Sequence, residues 1–171
     1  MRLFASTPLP LVESYWPARD DLALVDSTCG GVLREAARLS PEKVGLVDVR
    51  GPVESRRRWT YEELLVEAEA LARTLAGRFP AGTHLAVFGP NSPEWVITQF
   101  ALAMSGLVMV TINPALKADE LAYILGQSKS RGVFHGGEHR GTDMEAIVAE
   151  ALRLGRTELD LVWPLERVRD I

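Results

Sequence analysis

The chain has 171 residues, 47% of them apolar and 25% charged, with a formal net charge of −4. That composition belongs to a folded globular protein and excludes disorder as the main state, while the length suits one domain able to bury a core without disulfide staples. Neither half carries a basic surplus, with 11 basic and 12 acidic residues up to Pro80 and 8 and 11 after it, so nucleic acid is a poor partner. The lone Cys29 cannot form an internal disulfide and has no zinc-spaced neighbours, which points to a reducing compartment. No secretory core can form near the N-terminus, where Pro8, Pro10 and Glu13 interrupt the apolar patch, and a cytoplasmic location is expected.

Residues 1–27 show no sustained period and read as an irregular lead-in, with Tyr15, Trp16 and Leu22 as its only anchors. After Thr28, the stripe Val32, Leu33, Ala36, Ala37 and Leu39 predicts a short amphipathic helix ended by Pro41. Val44–Val49 and Arg56–Tyr61, split by Gly51-Pro52, predict an antiparallel edge hairpin. Thr60 and Glu63 spell a capping box that opens a long helix through Leu64, Leu65, Ala68, Leu71, Ala72, Leu75 and Phe79, supported by a Glu69–Arg73 pair and stopped at Pro80 and Gly82.

From there the hydrophobic period alternates. Leu85–Gly89 predicts a strand, and Asn91-Ser92-Pro93-Glu94 a helix start with a polar cap, an early proline and an acid at the positive helix end. Trp95–Leu116 contains no charge and has the length of a membrane span. Gly106 in mid-run, the β-branched segment after it, the polar Thr98, Gln99 and Ser105, and the Asn113-Pro114 stop instead favour a buried helix to Ser105 followed by a buried strand, Leu107–Ile112. Helix Lys117–Gln127, strand Arg131–His135, helix Asp143–Leu154 begun by a Thr142/Glu145 box, and strand Leu159–Trp163 complete the series. The expected fold class is α/β, a mostly parallel sheet with helices on both faces plus the antiparallel hairpin.

In such a sheet the loops after Gly89, Ile112 and His135 share one edge, where open α/β folds bind ligands. That edge offers Asn91, Ser92, Asn113, Lys117, His135, Glu138, His139 and Arg140. Asn91 and Ser92 also make sense as helix caps, and Asn113 as a turn former bonded to its own backbone. His135, Glu138 and His139 could converge on a metal only if Gly136-Gly137 folds the loop back; their spacing matches no ligand pattern, and an exposed connector is the preferred reading. Gly136 and Gly141 have the outer spacing of a phosphate loop, but Thr142-Asp143 replaces the required Lys-Ser/Thr. Ser27-Thr28-Cys29-Gly30-Gly31 opens a helix and could hold an anion or cap its own amides. Arg56-Arg57-Arg58 beside Trp59 could be a nucleotide platform or a solvated hairpin face. No catalytic triad or paired carboxylates emerge, so no catalytic, cofactor-binding or metal residue is assigned.

Three blocks in order carry a resemblance: WTYEELLVEAEALARTL (Trp59–Leu75), LAVFGPNSPEWVITQFALAMSGLVMVTINPAL (Leu85–Leu116) and KADELAYILGQSKSRGVF (Lys117–Phe134). Together these residues resemble the N-terminal part of the adenylate-forming enzymes, the acyl-CoA synthetase family, over roughly residues 28–154. The resemblance implies attack of a carboxylate on the α-phosphate of ATP, with magnesium, and then displacement of AMP by a thiol, usually coenzyme A. It also implies a Ser/Thr/Gly-rich loop ending Pro-Lys-Gly and a small C-terminal domain carrying another lysine, neither of which occurs in the sequence. Residues 28–171 are therefore expected to be a truncated N-terminal subdomain of an AMP-binding ligase domain, inactive alone and partnered by the missing C-terminal portion. Alternatives are the docking half of a split ligase or an interaction module, and an unrelated flavodoxin-like binding domain. A helix apolar nearly all round at Trp95–Ser105 calls for cover on every side, so self-association is a further expectation.

Overall fold

The computed structural model describes residues 25–155 and 159–171. The expected lead-in, with Tyr15, Trp16 and Leu22, lies up to residue 24 outside the described residues. Helix α1 (Cys29–Leu39) is capped by Thr28, whose hydroxyl accepts from the Gly31 amide at 3.0 Å. Strands β1 (Val44–Val47) and β2 (Arg58–Thr60) pair antiparallel as a two-stranded sheet of their own. β1 stops short of Val49 because the Asp48 carboxylate accepts from the Arg50 amide at 3.0 Å and turns the chain. Helix α2 (Tyr61–Arg78) begins with the expected capping box: Glu63 N donates to Thr60 Oγ1 at 3.1 Å, and Thr60 N donates to Glu63 Oε2 at 2.8 Å. Glu69 pairs with Arg34 of α1 at 2.9 Å, among the described residues in place of the expected Arg73.

The sheet consists of β3 (His84–Phe88), β4 (Val108–Ile112), β5 (Gly132–His135) and β8 (Leu161–Pro164), all parallel, in the order β4-β3-β5-β8. Helices α3 (Pro93–Met104), α4 (Ala118–Gln127) and α5 (Met144–Arg153) connect them. Alternation along the strands splits the core in two. Leu85, Val87 and Phe134 join a cluster with α1, α2 and α3 through Leu33, Leu71, Leu75, Ile97 and Leu102; Ala86, Phe88 and Val133 join a second with α4 and α5 through Leu121, Leu125, Met144 and Val148. The charge-free Trp95–Leu116 stretch is a helix followed by a strand, as expected, but the strand is not the buried one expected of it: β4 lies at the end of the sheet, and of its five residues only Ile112 is buried. Among the described residues no helix is long and apolar enough to cross a membrane.

Two local expectations are corrected. The segment after His135 is a small antiparallel hairpin, β6 (Glu138–His139) and β7 (Thr142–Asp143). Arg140 and Gly141, with φ of 53° and 77°, make the two-residue turn whose twist matches such a hairpin. In consequence Thr142 is held in β7, and Asp143 caps α5 by accepting from the Ala146 amide at 3.0 Å, in place of the Thr142/Glu145 box.

Candidate functional site

Strand order reverses between β3 and β5: α3 leads from β3 outward to β4, and α4 carries the chain back across β3 to β5. The crevice beyond the carboxyl ends of β3 and β5 is where this architecture takes ligands. Here the chain fills that crevice itself. Gly89 and Gly136 face each other so closely that a Cβ on Gly89 would lie 2.8 Å from Leu165 Cδ1 and 3.2 Å from the Gly136 nitrogen. The Gly136 amide donates to Phe88 O at 2.9 Å, and the Gly137 amide to Glu166 Oε1 at 3.0 Å. Leu165 and Glu166 belong to the 3-10 segment Leu165–Asp170 that follows β8 and folds over the opening.

The edge residues are distributed around this plug and mostly satisfied locally. Asn91 is exposed in the β3–α3 turn. Ser92 is the N-cap of α3, its Oγ accepting from Trp95 N at 3.1 Å. Asn113 accepts from Ala115 N at 2.9 Å as a turn former, and the exposed Lys117 opens α4 with its amide donating to Glu120 Oε2 at 2.9 Å. His135 is buried, with Nδ1 2.9 Å from Gly136 O, whereas Glu138 and Arg140 are exposed on the hairpin and His139 is half-buried there. Among the described residues no three His, Cys, Asp or Glu side chains come together as metal ligands. In the basic triplet, the exposed Arg57 stacks on the Trp59 ring at 4.3 Å and binds Glu67 at 2.8 Å, so its charge is paired within the chain.

The best-built polar cluster lies beside the crevice and was not singled out in the sequence as a unit. Glu94, in the first turn of α3 and only 8% exposed, receives Arg50 Nη2 at 3.3 Å on one carboxylate oxygen and Arg169 Nη1 at 3.2 Å on the other. Arg169 also donates to Glu67 Oε2 at 2.7 Å; Glu67 accepts from Arg57 and, at 3.1 Å, from the indole N–H of the buried Trp59. Arg50 bonds Asp48 at 2.8 Å, and that side-chain bond holds the Asp48 carboxyl below the ordinary carboxylate value. Burial works against the charge on Arg169, but its bonds to Glu67 and Glu94 outweigh this and raise its pKa. Three guanidinium groups and three carboxylates thus tie the β1–β2 hairpin, α2, α3 and the Leu165–Asp170 segment together. The sequence signal was available at Glu94, an acid opening an otherwise charge-free run, but its partners stand 44 and 75 positions away.

Chemically, this edge is closed. The positive end of α3, the natural cradle for a phosphate, already holds the Ser92 hydroxyl and the Glu94 carboxylate. The Gly136 and Gly137 amides are committed to Phe88 and Glu166. These residues do not fit a triphosphate or its magnesium.

The described residues thus form a doubly wound parallel sheet whose ligand edge is covered by the segment that follows β8. Residues 33–167 match the profile of the AMP-binding enzymes, and the chain belongs to that family. It is similar to the mitochondrial medium-chain acyl-CoA ligase ACSF2 of Rattus norvegicus, 32% identical over 130 residues, which cover 75% of this chain and 20% of the relative. Among solved structures it resembles the N-terminal domain of FACL13 from Mycobacterium tuberculosis, with a TM-score of 0.66 and 26% identity over 84% of this chain and 36% of that one. A Mycobacterium tuberculosis fatty acyl CoA synthetase gives a TM-score of 0.64 and 27% identity over 83% of this chain and 28% of that one. The chain therefore spans about a fifth of the length of the curated relative.

Proposed function

We propose that these residues are the N-terminal scaffold of an ATP-dependent acyl-CoA synthetase, whose complete form activates a carboxylic acid as its acyl adenylate and then transfers the acyl group to a thiol. The reading is carried by the family match over 33–167 in a chain that spans only a fifth of its relative. The family implies ATP, magnesium and coenzyme A for the complete enzyme. Adenylation needs donors preorganised around a phosphorus in flight, and the Gly136 and Gly137 amides at this sheet edge are already bonded to the chain. The catalytic groups are accordingly assigned to sequence beyond the present residues, and the role of this part is to form the sheet on which they are mounted. The cytoplasm suits the free thiol of Cys29.

The test is AMP release from ATP with magnesium, coenzyme A and saturated acids of graded length, medium-chain acids first because the ACSF2 relative is named for them. The chain alone is expected to give no turnover above a no-enzyme blank. Joined to the remainder of the AMP-binding enzyme, from the phosphate loop through the C-terminal domain, it is expected to turn over in an acid-dependent way. AMP formation by the 171 residues unaided would overturn the assignment.

A further inference from the structure

We draw no further inference here: the strongest candidate, the mostly apolar groove of about 310 Å³ between α2, α3 and the Leu165–Asp170 segment, lined by Val66, Ala70, Leu71, Ile97 and Val168, carries nothing because nothing in the structure shows what covers it.

Discussion

Glu94 shows how one side chain is decided by magnitudes. A carboxylate this buried is expensive unless it is paired and hydrogen-bonded, and the position at the start of α3 supplies only the favourable helix end. Arg50 and Arg169 supply the rest, one bond to each oxygen. Both arginines keep a second carboxylate, Asp48 and Glu67, so deleting the Glu94 charge leaves neither stranded. Glu94→Gln should therefore cost about 1–2 kcal/mol in urea denaturation, below the 3–5 expected when a fully buried pair is broken. Glu35→Gln removes the partner of Arg38 on the open face of α1, a comparable bond in water, and should have no measurable effect. If the two variants are equally harmless, the Glu94 cluster is surface decoration and does not hold Leu165–Asp170 in place.

At the scale of elements, local chemistry sets where each helix begins. The Thr60–Glu63 box satisfies two backbone amides at the junction of β2 and α2, where the chain passes from extended to helical without a spare residue. Thr60→Ala should lower stability by about 1 kcal/mol and Thr60→Ser by much less, read from denaturation midpoints; an alanine variant as stable as the serine one would show that packing alone starts α2. This dependence on neighbours three positions apart is why α2, α3 and the alternation from β3 to β8 were legible in the sequence. The β6–β7 hairpin was not, because Arg140-Gly141 lacks the usual Asn-Gly signal and the positive φ at Arg140 is imposed by the pairing of Glu138 with Asp143 and His139 with Thr142. The contents of the crevice were illegible for a related reason. Leu165 and Glu166 reach Gly89 and Gly137 across intervals of 76 and 29 residues, and no local period records a plug delivered from the far side of the sheet. Ser92, Asn113 and Thr28, by contrast, could be read as caps and turn formers, since each bonds an amide two or three residues on.

For the molecule as a whole, the question is whether two core clusters on opposite faces make one cooperative unit. Among the described residues they meet at the sheet: along β3 the side chains of Leu85 and Val87 serve one cluster while Ala86 and Phe88 serve the other, and β5 divides Phe134 from Val133 in the same way. Unfolding either helical layer bares one face of the central strands to water, and strands that are apolar on both faces cannot tolerate that. Leu75, fully buried on α2, and Met144, fully buried on α5, sample the two layers. Truncating either to alanine should cost about 2–5 kcal/mol. The double variant should lose close to the sum, because the two side chains share no contact cluster. Tryptophan fluorescence should resolve the outcome, since Trp59, Trp95 and Trp163 all belong to or pack on the first cluster and none reports on the second. If the domain is one unit, Met144→Ala shifts the fluorescence transition as far as it shifts the far-ultraviolet circular dichroism, although the described indoles, Trp59, Trp95 and Trp163, are on the other side of the sheet; the measurement is made with Trp16 replaced by phenylalanine so that only these three report. A fluorescence curve left at its wild-type midpoint while the dichroism curve moves would mean that the α4–α5 layer melts by itself, and that β3 and β5 do not transmit stability between the faces.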